Sequence, residues 1–368
     1  MKQIVSLLIL AAAALAPMQS AGQTTRKLSA TKANEYGVVY TLPVTSIDVT
    51  ISAEKTVETP GEFALYAKRY LNETPILNKS TRWKLGEAVI TPVATPDPEQ
   101  RYSVTLKGGS GAFVMVDDRN MPVSINDESY EPVAASVSLP VAKAAEPTIL
   151  EQPVARQAQT EEMIQSRSSV KRAEFAAAKI YELRTNRNEV VSGQADAMPS
   201  DGNAMKLALS TIDRQEEALT AMFIGTRSTS VEVETFHITL PEPVEAGRAL
   251  DRIIVARLSA TEGIVSPDDL SGAPVYLTVT PLSIGEMPVN EKGETLQFPK
   301  GGVAYRIPGT ARITLTYEGK TIAEKTVNVA QYGIVYGIDP ALFTNKKAPS
   351  YARFDPMTGA LLEIGELR

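Results

Sequence analysis

IDVTISAEK, residues Ile47 to Lys55, places an apolar side chain at every second position. Ile47, Val49, Ile51 and Ala53 fall on one face of an extended chain, and Asp48, Thr50, Ser52 and Glu54 on the other. A period of two marks a β-strand with one buried face, so the reading starts from a strand and works outward. YGVVY (Tyr36–Tyr40), just upstream, is also β in character, and Pro43 between the two argues for an edge or a bend. Two short words recur near the other end of the chain. AEKTV occurs at Ala53–Val57 and at Ala323–Val327, and YGVVY is echoed by YGIVY at Tyr332–Tyr336. Their order is reversed in the second half, which a tandem duplication would not do. Two strands sharing a vocabulary is the better reading, and an old, permuted duplication is the alternative.

Downstream of the opening strand, TPGEFALYAKRYL spaces Phe63, Tyr66, Ala67 and Tyr70 as on a short amphipathic helix, with Pro60 suited to a first turn. GEAVITPV, RYSVTLK and GAFVMVD then read as strands, the last two joined as a hairpin through Gly108–Gly111. This makes residues 23–130 a β-rich N-terminal domain with one short helix. Residues 131–159 are rich in Ala, Pro and Val. They are either a linker or an extended crossover that lays ASVSL on a sheet edge. From Thr160 to about Val191, apolar residues recur at three- and four-residue steps, with Gly193 as the stop. A second helix follows Ser200 and Asp201, both N-cap candidates, and puts Met205, Ala208, Ile212, Leu219 and Phe223 on one face before Gly225. Residues 160–225 are therefore expected to form an antiparallel helical hairpin with a solvated, charged outer face. Residues 226–368 return to short strands and turns, including hairpins at Glu318–Lys320 and Asp355–Gly359, and read as a β-sandwich-like C-terminal domain. The expected class is α+β.

The N-terminus reads as an export signal. Lys2 precedes the apolar run Ile4–Ala16, and PMQSAG ends in small residues, so residues 1–22 are expected to be cleaved. The run is short for a membrane span, and no later segment is apolar enough for one. Loss of Lys2 takes the formal charge from −6 to −7, which offers no field for a nucleic-acid partner. With no cysteine anywhere, the chain cannot be held by disulfides and must rest on its cores. These features suit the periplasm or surface of a Gram-negative cell.

Chemistry-bearing patterns are sparse. His237 is the one histidine and lies within a strand pattern, without a nucleophile elbow beside it. One histidine and no cysteine exclude the usual zinc sets, and no metal or cofactor is expected. The acidic pairs Asp117–Asp118, Asp127–Glu128 and Asp268–Asp269 are each explained by turn polarity. The glycine-rich LKGGSGAF and PKGGVAYR precede strands, whereas a phosphate loop needs a helix. No residue is assigned a catalytic role. Trp83, with Tyr66 and Tyr70, is the candidate ligand-binding set, because aromatic faces stack on sugar rings. Packing of Trp83 against the end of the short helix is the competing reading.

Three segments carry a resemblance: YGVVYTLPVTSIDVTISAEKTVETPGEFALYAKRYL, AAAKIYELRTNRNEVVSGQADAMPSDGNAMKLAL and FDPMTGALLEI. With the leader, they resemble a family of secreted Bacteroidales proteins catalogued only as a domain of unknown function. The resemblance covers nearly the whole chain after residue 22. It implies an exported envelope protein and no particular reaction. The expectation is a non-enzymatic protein that binds or scaffolds an envelope protein or glycan. A carboxylate-based glycan hydrolase is one alternative and requires two acids converging in a cleft with an aromatic wall. A glycan-binding module is another and requires Trp83 to be at least half exposed.

Overall fold

The computed structural model describes residues 31–32, 38–104, 112–133, 136–243, 245–345 and 347–367. The leader at 1–22, the Gly108–Gly111 turn and the first two residues of YGVVY lie outside them. The elements begin with β1 (Thr31–Lys32) and β2 (Val38–Thr59), then a 3₁₀ turn (Ala64–Tyr66) and α1 (Ala67–Tyr70). β3 (Ser80–Val104), β4 (Phe113–Val116) and β5 (Pro122–Ile125) follow. The helical region holds a second 3₁₀ turn (Ile149–Glu151), α2 (Pro153–Gln157), α3 (Glu161–Gln165), α4 (Ser169–Ser192) and α5 (Gly202–Ile224). β6 (Thr226–Thr239), β7 (Ile253–Ser259), β8 (Gly263–Val265), β9 (Ala273–Ser283), β10 (Val303–Tyr317) and β11 (Lys320–Ile338) come next. The chain closes with α6 (Ala341–Thr344), β12 (Ser350–Phe354) and β13 (Leu361–Glu366). The class is α+β, as expected.

β2 is the spine. Its 22 residues, at about 3.3 Å rise each, span about 70 Å. IDVTISAEK lies within it, and Ile47, Val49, Ile51 and Ala53 are fully buried. The opposite face differs from the simple alternating picture, since Thr50 and Ser52 are buried too. β2 runs between β3 and β6, so its small hydroxyls are covered by neighbours and satisfied across the sheet. Thr50 Oγ1 lies 2.9 Å from Thr235 Oγ1, and Ser52 Oγ accepts from the Glu87 N–H at 2.7 Å.

Among the described residues, the strands form a three-stranded sheet, β3-β2-β6, and two five-stranded sheets, β1-β4-β5-β12-β13 and β11-β10-β9-β7-β8. Sequence order and sheet order diverge. β6 pairs with β2, and β12 pairs with β5, so strands from residues 226–368 complete sheets begun by residues 23–130. The sandwich core is likewise built by both ends of the chain: Ile47, Val49 and Ile51 of β2 pack against Leu277, Ile313 and Val329 of the facing sheet. GEAVITPV and the described part of RYSVTLK, Arg101–Val104, lie in one strand, β3, paired with β2. The expected hairpin between RYSVTLK and GAFVMVD is not made, because β4 pairs with β1 and β5 in a different sheet. β10 and β11 make the expected hairpin, turning on Glu318 and Gly319, both at positive φ. β12 and β13 make the other. The AEKTV copies lie in β2 and β11, long strands of different sheets. That fits shared strand chemistry.

Along β2 the core changes composition. Val38, Tyr40 and Leu42 join a second cluster with Val114, Ile125, Ile338 and Phe354. Between the two clusters both long ribbons break register. On β3, the partner of β2 jumps from Arg101 to Pro96. On β11, the partner of β10 jumps from Ile334 to Val329. A buried ion pair joins the two breaks: Arg306, only 5% exposed, donates to Asp97 Oδ2 at 2.6 Å and to the Ala330 carbonyl at 3.4 Å. Burial pulls the Arg306 pKa down, and Asp97 works against that. Tyr332 nearby is pushed up to about 12 by burial and, less, by Glu242.

The segment at 131–159 is not a linker throughout. Its second part forms the 3₁₀ turn Ile149–Glu151 and α2 (Pro153–Gln157), while residues 136–148 form neither helix nor strand and meet the sheet through a bridge from Lys143 to Val231 of β6. ASVSL forms no strand over residues 136–139.

Candidate functional site

Helices α4 and α5 form the expected antiparallel hairpin, with Gly193 ending α4 in the left-handed region and Asp201 capping α5. The first helix is not continuous from Thr160. Thr160 caps the short α3, the chain breaks at Ser166, and Ser168 caps α4. Each cap oxygen accepts a hydrogen bond from a first-turn N–H, one of the donors that a helix start leaves free.

The hairpin is rooted on the β2–β3 connection. Phe63 and Ala67 are buried against Ile180, Leu183, Leu219, Met222 and Phe223, and the Phe63 and Phe223 ring centres lie 5.3 Å apart. The last carbonyls of a helix lack partners within it. Here the Phe63 N–H donates to the Met222 carbonyl at 2.7 Å and the Ile76 N–H to the Ile224 carbonyl at 2.9 Å. Gly61 makes this approach possible, since a Cβ there would collide with the Met222 carbonyl oxygen.

Tyr66 and Tyr70 belong to this root. Their ring centres are 6.4 Å apart. Tyr66 Oη lies 3.2 Å from Ser169 Oγ at the start of α4, and the Tyr181 hydroxyl donates to the Tyr70 carbonyl at 2.8 Å. Trp83 is elsewhere. It is partly buried, short of half exposure. Its ring lies on Gly263 of β8, with the Lys55 ammonium 4.9 Å from the ring centre. Its Nε1–H donates to the Thr261 carbonyl at 3.1 Å. The indole thus pins the three-stranded sheet to the β7–β8 turn, not to the end of α1. The three aromatic residues form two separate contacts and no shared platform.

On the other flank of α5 opens a shallow cleft of ≈ 430 Å³. Ion pairs line it: Arg184 with Glu216 at 2.6 Å, Arg187 with Asp213 at 2.7 Å beside it, and Arg227 with Glu58 at 2.6 Å. Glu58 is the hub. It also accepts from Arg82 at 2.7 Å and from Ser80 at 2.9 Å, and these bonds, Arg82 first, bring its pKa down to about 2. The cluster draws on β2, β3 and β6, whose pairing no local sequence signal announces, so sequence reading missed it.

One carboxylate of each acidic pair is held in place by hydrogen bonds. Asp117 Oδ1 accepts from the N–H groups of Arg119 and Met121, closing a turn. Asp127 is bound by Arg353 at 2.8 Å and Ser129 at 2.8 Å, which outweigh burial and lower its pKa. Asp269 accepts from the Ser271 N–H, which lowers its pKa as well. Among the described residues, every carboxylate with a displaced pKa is displaced downward. Such groups hold charge and cap turns, whereas a general acid at neutral pH needs a raised pKa. His237 Nδ1 lies 2.7 Å from Asp48 Oδ1 in a cross-strand pair. Among the described residues no group of His, Cys, Asp or Glu could hold a metal, and no helix is long and apolar enough to cross a membrane.

A family model for a domain of unknown function, DUF4831, matches residues 36–362. The chain belongs to that family. The DUF4831 match runs from the start of YGVVY into β13, so it takes in the spine, the helical hairpin and, apart from β1 and most of β13, both large sheets. No curated protein and no solved structure matches the chain.

Proposed function

We propose that this DUF4831 protein is an exported envelope protein of a Gram-negative bacterium that acts by binding, as a scaffold, through its helical hairpin. The observation that carries the reading is the uneven burial along α4 and α5. Their root is packed, but from residue 191 to 217 no residue is buried. Val191, Met198 and Leu207 are 61%, 43% and 69% exposed. The distal part of the pair, with no fully buried residue, draws little stability from packing, and a partner would supply the missing contact. The leader pattern at 1–22 and the absence of cysteine support export.

The test is capture from solubilised envelopes with the full chain and with Val191→Asp/Leu207→Asp, which leaves the root intact. Loss of a captured partner in the double variant is expected. Identical capture by both proteins would overturn the hairpin as the binding element.

A further inference from the structure

The sandwich has a second opening, away from the hairpin. β3 ends the three-stranded sheet and β11 ends the facing sheet. Residues 87–90 of β3 and 322–325 of β11 line a gap of ≈ 410 Å³ between these two edges. Over these residues the two strands do not pair with each other, and among the described residues neither has a partner strand on its outer side. A side chain spans the gap. Lys325 reaches across, and its Nζ donates to the Ile90 carbonyl at 3.1 Å. A lysine stem stands where a neighbouring backbone would normally supply the N–H. Ala88, Ile322 and Ala323 pack at the margin of the sandwich core, and Glu87 and Glu324 are exposed on the two rims, Glu324 lying 3.9 Å from Arg312.

We propose that this gap is a strand-addition site for an extended segment of a partner protein, with apolar residues at alternate positions and lysine or arginine between them. The backbone of such a segment would replace the Lys325 ammonium at the β3 edge. Its apolar residues would cover Ala88, Ile322 and Ala323, and its cations would face Glu87 and Glu324. Exposed edges recruit strands through main-chain hydrogen bonds, and the alternate side chains set specificity. A lysine on an edge is also a common guard against unwanted pairing, so Lys325 would act as the gate that an occupant must displace.

The probe is a fluorescent acetyl-KVTVKVTV-amide peptide titrated onto the full chain, with amide exchange read at residues 87–90 and 322–325. Saturable binding with protection confined to those residues is expected. Glu87→Lys/Glu324→Lys should weaken it about tenfold, a change of about 1.4 kcal/mol. N-methylation of alternate peptide amides should abolish it, and Lys325→Met should tighten it by removing the competing donor. Because main chain is what the edges recognise, a peptide of this pattern that fails to bind at millimolar concentration overturns the proposal. So does binding indifferent to the rim charges, or protection located elsewhere. Self-association that the peptide reverses would assign the gap to a second copy and overturn the partner assignment. None of these readouts depends on the hairpin, so this site and the hairpin can fail separately.

Discussion

At the scale of single residues, the polar groups that matter most are those buried at a join. Arg306 sits between two register breaks with Asp97 as its charged partner. Removing one member of a buried pair leaves the other charge stranded, so Arg306→Ala should cost about 3–5 kcal/mol in chemical denaturation. Arg306→Met combined with Asp97→Ala should cost less than Arg306→Ala alone, because no unpaired charge then remains. Glu58 predicts a pH effect whose sign follows from its depressed pKa. The folded state holds the carboxylate at about 2, against an ordinary 4.5. Its contribution is therefore full above about 4.5 and fades as pH falls through about 2. Thermal midpoints measured from pH 5 to pH 2 should drop less steeply for Glu58→Gln than for the parent. Neither residue was singled out from the sequence. Arg306 and Asp97 are far apart in the chain, and only the pairing of β2 with β3 and of β10 with β11 sets them face to face.

At the scale of elements, local chemistry was readable where it is self-contained. Gly193, Asp201 and Gly225 bound α4 and α5 as their types suggest, because caps are settled within a turn of the helix. Asp201→Ala should cost α5 about 1 kcal/mol. The same helix should show a gradient in amide exchange. Residues 218–224, at the root with Phe63, should exchange slowly, and residues 203–214, none of which is fully buried, should exchange much faster. Uniform protection along α5 would contradict the burial pattern. The interruption between α3 and α4 escaped the periodicity, since Ser166–Ser168 interrupts the helix through caps without interrupting its polarity. The single long β3 escaped for a related reason. GEAVITPV and RYSVTLK read as separate strands, and the ladder does break between them, at Asp97–Gln100 of TPDPEQ. The strand continues through the break because β3 is an edge strand, where proline is tolerated on the open side or at a bulge.

At the scale of the molecule, one strand ties the parts together. β2 enters the second cluster at Val38, crosses the sandwich core at Ile47–Ile51 and ends at the hairpin root. The root depends on few side chains, with Phe223 central among them. Phe223→Ala should cost about 3–5 kcal/mol, and the loss should be local. Helical ellipticity should melt in a separate, earlier transition while the strand signal keeps its parent midpoint. A single shared transition at lower temperature would mean that the hairpin and the sandwich fold as one unit.

The sequence by itself determined what local pattern can determine. It marked the strands by their period of two, the hairpin helices by their caps and apolar stripes, the turns by glycine, and the α+β class by the alternation of these textures. It also carried the family resemblance. What it left open was partnership. Period two says that one face of IDVTISAEK is buried, but it does not say which strands flank it or that β6 will be one of them. Trp83 carries no local sign that its indole will lie on Gly263, or Lys325 that its ammonium will reach Ile90. Pairing between distant strands is decided by global packing, where many weak contacts across the chain choose one register together. The Glu58 cluster, the Arg306–Asp97 pair and the open edge between β3 and β11 all exist only at that level.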